Sequence, residues 1–422
     1  MGSVTERIYR SNPYESKIKS RVEEVFHSEG KDVLVLDKTV FFPTGGGQPC
    51  DRGTVSLMRD GEKKIFPIVD VYDHSLEGDV FHVTDAPEGT FAPGDQVETE
   101  LDWDRRFTHM QRHLGEHLFT GSLYRLFGWK NKGFHMGEDY TTIDMEVTHS
   151  PEVDKMIREG ELEVNRVIWM DVPVHVDYFP DKEAASVMPV RKPITAHGMI
   201  SVVTAGDRED PLDCCACCGT HADSTGQVGL VKVYKAEANK GMTRIYFDSG
   251  KPALMKMRQE MDLLRQITDR FSAGDDDIIS KLDIQDQKEG NLRKRYASLR
   301  DKVMETEKEK ILSVMKDQDR ETFDFPYECL EAGDLVKLGF AVMNERGEDK
   351  DCGAVKLLTL TDESSHTVLL FSSGEVSCGK LVKEKAGAFG GRGGGRDDNA
   401  RAIFPDMKSA RMFIREITAK RQ

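Results

Sequence analysis

The chain contains no apolar run approaching the roughly 18 residues that a membrane span requires. Its opening stretch, MGSVTERIYRSNPYESK, holds no apolar core of the kind an export signal carries, so the cytoplasm is the expected compartment. Cysteine is sparse as well: eight among 422 residues, with four crowded into 214–218 and Cys50, Cys329, Cys352 and Cys378 standing alone. That distribution excludes the disulfide framework of a secreted scaffold and points to metal binding or inert thiols. Basic charge is also short. The net charge of −15 excludes a general nucleic-acid coat but leaves room for a local patch. One such patch is 380–422, where eleven Lys/Arg stand against five Asp/Glu.

What is present divides the chain into several domains, as its length requires. Over 1–100, short β-rich runs (VLVLDKTVFF, KIFPIVDVY, DVFHVT) alternate with Gly, Asp and Pro turns, which predicts a small antiparallel barrel. Inside it lies PTGGGQPCDRG. From Asp104 the pattern turns helical: Phe107, Met110, Leu114 and Leu118 recur at three- and four-residue steps, and Gly128 is the expected stop. Strand-like runs follow at 140–146, 166–178 and 199–204, and GQVGLVKVYKA and GMTRIYFDSG read as two further strands. Residues 101–250 therefore read as one α+β domain.

Leu254, Met257, Met261, Leu264, Thr268 and Phe271 keep heptad a/d spacing. After SAGDDD so do Leu292, Tyr296, Leu299 and Val303, which predicts a helical hairpin, an antiparallel coiled coil, over 251–320. Two strand-like runs, the glycine run GAFGGRGGGR and a last helix through Met407, Phe413 and Ile417 predict a small α/β domain over 325–422. The expected fold class is a multidomain α+β protein built from these four parts.

His113-Leu-Gly-Glu-His117 sets two histidines at i and i+4 of the expected helix, on one face and able to share a metal. Alone, the pair reads equally as two neighbours without a ligand. Cys217-Cys-Gly-Thr-His221 sets a thiol and an imidazole four residues apart, in a turn loosened by Gly219. Together the halves supply three His and one Cys, a set that zinc prefers. Cys214/Cys217 and Cys215/Cys218 are each C-x-x-C, yet no second C-x-x-C exists to complete a four-Cys site. Cys217 is therefore the expected ligand, and Cys214, Cys215 and Cys218 its unligated neighbours. H-x-x-E-H is also the inverzincin metalloprotease signature, in which Glu116 would be the general base. That reading needs a downstream carboxylate as third ligand and leaves Cys217, His221 and the GGGQ loop unused. His109, one turn earlier, reads as a solvent-facing or outer-sphere residue.

The stretches VLVLDKTVFFPTGGGQPCDRG, LDWDRRFTHMQRHLGEHLF, CCGTHADSTGQVG and GMTRIYF, in that order, resemble the alanyl-tRNA editing proteins, the AlaX family. These are freestanding relatives of the editing domain of alanyl-tRNA synthetase. The helical region and TVLLFSSGEVSCGKLVKEKAGAFGGRGGGR resemble the C-terminal domain of that synthetase, so the whole is similar to the long form of the family.

The resemblance implies hydrolysis of misacylated tRNA, with serine and often glycine removed from the alanine tRNA. It implies Zn2+ held by His113, His117, Cys217 and His221, with Thr44, Gly45, Gly46, Gly47 and Gln48 beside the active site. It also implies that a side chain near Asn131, His135, Thr141 or Thr142 senses the serine hydroxyl. Glu116 reads as an outer partner of a ligating histidine or as a surface residue. The tRNA is the expected partner, contacted at its outer corner by Arg392, Arg396 and Arg401, with RKRYASLR at 293–300 as a further basic stretch. A homodimer through the C-terminal region is implied as well. There is no room for an aminoacylation core, so the expected task is correction rather than charging. A non-enzymatic tRNA-binding relative that keeps zinc for structure is the alternative from another class.

Overall fold

Six strands, β1 (Lys17–Ser28), β2 (Lys31–Leu36), β3 (Gly53–Arg59), β4 (Glu62–Asp73), β5 (Val80–Pro87) and β6 (Gln96–Leu101), close into an antiparallel barrel in the order β1-β2-β5-β4-β3-β6. Along β5, Val80, His82, Thr84 and Ala86 are buried while their neighbours are not, the period-two pattern of a strand with one face inward. Leu34, Leu36, Val55, Ile68 and Val97 fill the interior. The computed structural model describes residues 4–73, 78–318, 320–348 and 355–419, so Cys352 lies outside the described residues.

The helix α1 (Trp103–Phe127) follows the barrel directly. Asp102 caps its start by accepting from the Arg105 backbone N–H at 3.1 Å, and Gly128 ends it in the left-handed region at φ 71°. Arg106 on its first turn is wholly buried, donating from Nε to Asp51 Oδ2 at 3.0 Å and from its guanidinium to the Pro13 carbonyl at 2.7 Å. This pair pins the helix to the barrel segment that carries the glycine loop.

Next come β7 (Asn131–Met136), β8 (Thr141–Met145), α2 (Pro151–Trp169), β9 (Val174–Phe179), β10 (Ile200–Gly206), β11 (Pro211–Ala216), β12 (Val231–Asn239) and β13 (Met242–Ser249). One antiparallel sheet runs β12-β13-β8-β7 and a second runs β9-β10-β11. The core between helices and sheets includes Leu114, Phe119, Ile143, Val164 and Phe247. The strand expected over 166–178 is corrected: residues 166–169 end α2, and the strand begins only at Val174. Ser150 caps α2, Pro151 stands at its start, and Val153, Ile157, Val164 and Ile168 repeat at helical spacing, so start signal and period both favoured helix.

Two helices, α3 (Gly250–Phe271) and α4 (Ile278–Asp317), flank the SAGDDD break. Of the heptad positions, Leu254, Met261, Leu264, Leu292, Tyr296 and Leu299 are exposed, Met257, Phe271 and Val303 are half-buried and Thr268 is buried. What anchors α4 is its last turns, where Ile311 and Met315 enter the C-terminal core.

By packing, the chain forms two units, Met1–Ile267 and Thr268–Gln422. The second holds β14 (Thr322–Tyr327), α5 (Ala332–Glu348), β15 (Leu357–Asp362), β16 (Thr367–Phe371), α6 (Cys378–Lys385), β17 (Arg392–Gly395), β18 (Asn399–Ile403) and α7 (Met407–Thr418). Its sheet order is β14-β15-β16-β18-β17, with only β14 and β15 parallel. Phe413, Ile414 and Ile417 of α7 are buried on it. No described helix is long and apolar enough to cross a membrane.

Candidate metal centre

On α1, His113 and His117 occupy successive turns of one face, as i and i+4 spacing dictates. The segment after β11 brings Cys217 and His221 against them. One ligand atom from each of the four lies within 4.8 Å of all the others. Ring centroids are 5.3 Å apart for His113 and His117, 4.6 Å for His113 and His221, and 5.0 Å for His117 and His221. His113 Nε2 lies 3.1 Å from Cys217 Sγ.

The donor set fits a metal ion on four further grounds. Both ring nitrogens of His221 are buried without any hydrogen-bond partner, a cost that a bound cation relieves. His113 Nδ1 meets Gln48 Oε1 at 2.8 Å and His117 Nδ1 meets Asp213 Oδ2 at 3.3 Å, which leaves both Nε2 atoms for the cluster. Burial, reinforced by the neighbouring imidazoles, holds His113 and His221 well below the ordinary imidazole range, in the neutral form a metal needs. Burial pushes the Cys217 thiol well above its usual range, a penalty on the thiolate that a nearby cation relieves. No carboxylate belongs to the four-residue cluster, so the third ligand of the protease reading has no counterpart among the described residues.

Two residues that sequence reasoning missed organise the site. Burial opposes ionisation of Asp213, but Arg191 and His117 outweigh it and hold its carboxyl below the usual carboxylate range. Arg191 donates from Nε to Asp213 Oδ1 and from its guanidinium to Thr120 Oγ1 at 2.6 Å. A signal for Asp213 existed: Asp213, Cys215 and Cys217 alternate along one face of β11 and its extension, while Cys214 packs on the other with Ile200 and Val202. Arg191 sits in a segment without regular structure and had no such signal.

The metal cluster opens onto a cavity of about 300 Å³ whose walls include Gly46, Glu116, Asn131, Phe134, Arg191 and Cys215. Glu116 is buried, accepting from Asn131 Nδ2 at 2.6 Å and from Thr120 Oγ1 at 3.2 Å. It is a wall residue, not a surface one. Gly46 and Gly47 have φ of 59° and 83°, and a Cβ on Gly47 would stand 2.5 Å from the Phe134 ring. Gly219 serves by size rather than by a positive φ, since a Cβ there would lie 2.2 Å from His113 Cε1.

Other expected site residues lie elsewhere. Thr44, whose Oγ1 accepts from the Cys50 backbone N–H at 3.2 Å, lines a neighbouring cleft, and so does His135. Gly45 pairs with Gln48 across the loop. Thr141 and Thr142 are buried in β8, and neither lines the metal cavity. His109 is buried rather than solvent-facing. Arg392, Arg396 and Arg401 are exposed on the second unit, in or beside β17 and β18.

Residues 200–246 match the family profile of the threonyl and alanyl tRNA synthetase second additional domain, and residues 5–105 match that of the class II (A) tRNA synthetases. The alanyl-tRNA editing protein AlaX-L of Pyrococcus horikoshii is 28% identical over 412 residues, covering 94% of each chain. The chain is similar along nearly its whole length to that alanyl-tRNA editing protein. It also resembles alanine–tRNA ligases: 28% identity to that of Pyrococcus abyssi over 98% of this chain and 43% of the ligase, and 34% to that of Pyrobaculum aerophilum over 64% and 29%. It thus spans less than half the length of these ligases. The second-additional-domain match begins with β10 and ends within β13, and so contains Cys217 and His221.

Proposed function

We propose that the chain is a trans-editing hydrolase of the cytoplasm that removes serine, and glycine, from mischarged alanine tRNA at a zinc site formed by His113, His117, Cys217 and His221. The observation that carries the reading is the meeting of the four-residue cluster with the GGGQ loop at one cavity, in a chain similar along its length to an alanyl-tRNA editing protein. A synthetase pocket for alanine discriminates against serine or glycine by only about 1–3 kcal/mol, so a second site that hydrolyses the errors is needed.

The reaction splits the ester at the tRNA 3′ ribose with one water, giving the free amino acid and the ribose hydroxyl. When bound, zinc supplies Lewis acidity toward the ester carbonyl at this wall. Gln48 and Asp213 hold the two α1 histidines in the orientation described. Glu116 fixes Asn131 at the cavity wall, where the remaining amide hydrogen-bonding capacity of Asn131 is placed to meet a serine hydroxyl. The loop at Gly46, which lines the cavity, has no side chain there to keep a ribose from its backbone N–H. The exposed Arg392, Arg396 and Arg401 are positioned for RNA phosphates. A homodimer through the C-terminal unit is the finer expectation, decided by the mass of the chain in solution.

A second reading rests on one feature. Four protein ligands complete a tetrahedron, the pattern of structural zinc, which favours a tRNA-binding chain without hydrolysis. Release of amino acid from Ser-, Gly- and Ala-charged alanine tRNA, for wild type and Cys217→Ala, separates the two. Loss of Ser or Gly with Ala spared, abolished in the variant, supports editing; no release by zinc-loaded wild type refutes it.

A further inference from the structure

A second cleft, of about 900 Å³, lies beside the metal cavity and has no role in the reading above. The glycine loop separates the two, since Thr44 lines this cleft and Gly46 lines the metal cavity. The helix α1 underlies both: His109 lines the cleft and His113 the cavity, about 6 Å apart at 1.5 Å rise per residue. On β7 the neighbours divide likewise, Phe134 to the cavity and His135 to the cleft.

We propose that this cleft holds the phosphodiester backbone of the single-stranded RNA end whose terminal ester enters the metal cavity, with Arg52 and Arg105 as the phosphate contacts. The proposal rests on the hydrolase reading. A chain delivering its 3′ ribose past Gly46 can continue over the loop, and this cleft lies on the loop's other side.

On one side of the cleft the charges favour an anion. Arg52 and Arg105 have no carboxylate partner among the described residues; the Arg105 Nε is spent on the Cys50 carbonyl at 3.1 Å. Of the four acids that line the cleft, Asp102 and Asp104 are committed. Asp102 caps α1, Asp104 pairs with Lys251 at 2.8 Å, and the buried Arg112 is neutralised by Asp248 at 2.7 Å. Glu138 and Asp139 line the cleft as exposed acids, so the attraction is local to the Arg52 and Arg105 side. His109 is buried there with Nδ1 unpartnered. Burial, then Arg105, Arg112, Arg106 and Arg52, hold its imidazole down to about 3, a neutral ring in a field set by arginines. An RNA phosphate or ribose hydroxyl supplies what this wall lacks.

The test measures kcat and KM of the zinc-loaded full chain on Ser-charged alanine tRNA between about 50 and 200 mM salt. The variants are Arg52→Glu and Lys251→Glu, with Arg208→Glu as control for one reversed charge, because Arg208 is exposed and paired with Asp177 away from the cleft. For Arg52→Glu, the expected result is a KM raised about tenfold, the loss of one charged hydrogen bond, with the effect carried by KM rather than kcat. The slope of log KM on log salt falls by about 0.7, the value for one single-strand phosphate. Lys251→Glu, at the same rim, moves KM in the same direction. A KM shift for Arg52→Glu no larger than that of Arg208→Glu, with an unchanged salt slope, overturns the proposal while leaving the hydrolase reading intact. Absence of hydrolysis by wild type overturns both.

Discussion

Gln48 Oε1 stands 2.8 Å from His113 Nδ1, so a loop of the barrel sets the tautomer of a candidate ligand on a helix 65 residues away. The amide oxygen only accepts, so Nδ1 carries the proton and the Nε2 lone pair faces the cluster. The same side chain reaches the other half-site. Gln48 Nε2 donates to Thr220 Oγ1 at 2.9 Å, and the Thr220 backbone N–H donates to Gln48 Oε1 at 3.1 Å. Thr220 precedes His221. One glutamine therefore braces both halves of the candidate metal centre.

Removing that brace should cost metal affinity without removing a ligand. Gln48→Ala is expected to weaken zinc binding by about 10–100-fold, the usual effect of losing an outer partner. Competition against a chromophoric chelator reads it directly. An unchanged dissociation constant would mean that His113 is oriented by packing alone.

The contrast between what could and could not be read from sequence follows from distance along the chain. The spacings of His113 with His117 and Cys217 with His221 are local, and residue chemistry makes them visible. The antiparallel barrel and the extent of α1 were legible for the same reason, through period two and a capped period of 3.6. The brace by Gln48 was not, because nothing in GGGQ names a partner 65 residues on. Arg191 reaches Asp213 from a segment with no period at all. The heptads of 251–320 are a different case: both helices and the break between them are present, but several of their apolar positions are exposed, and periodicity alone does not say what covers a seam.

Gly219 tests whether close approach is the reason for a glycine in this turn. A Cβ there would meet the His113 ring at 2.2 Å and Gln48 Oε1 at 2.8 Å. Gly219→Ala must push a ligand or its brace aside, and misplacement on the ångström scale costs on the order of 10²-fold in activity. Deacylation rate and bound zinc per chain are expected to fall together. Full zinc content with full activity would show that the turn relaxes freely.

The pair Arg106 and Asp51 carries a stability prediction. Both side chains are fully buried, and the Phe42 backbone N–H also donates to Asp51 Oδ2 at 2.7 Å. Asp51→Ala would strand a guanidinium in the interior, at a cost of about 3–5 kcal/mol. Chemical denaturation of the first unit, followed through Trp103 and Trp129 fluorescence, is expected to shift to a markedly lower midpoint. A shift below about 1 kcal/mol would mean that the Pro13 and Val40 carbonyls suffice to hold the arginine, as they do for a typical hydrogen bond.

His82 gives the barrel a built-in acid sensitivity. Its ring lies wholly buried on β5, with Nδ1 3.1 Å from the Leu34 carbonyl and Nε2 2.7 Å from Thr39 Oγ1. Burial lowers the imidazole from the ordinary 6.5 to about 4. Below pH 6.5 the unfolded chain therefore takes up a proton that the folded barrel refuses until about pH 4. Stability is full above the unfolded value and is lost as the pH falls through that window. Between pH 7 and pH 5 this one group removes on the order of 2 kcal/mol. Amide exchange of β2 and β5, corrected for intrinsic rates, measures it in place. Wild-type protection should drop by more than a factor of ten over that range. His82→Gln, which cannot titrate, should start less protected at pH 7 and show a much flatter dependence. Equal slopes for the two proteins would assign the acid sensitivity to the carboxylates, since their protonation is what the variant leaves unchanged.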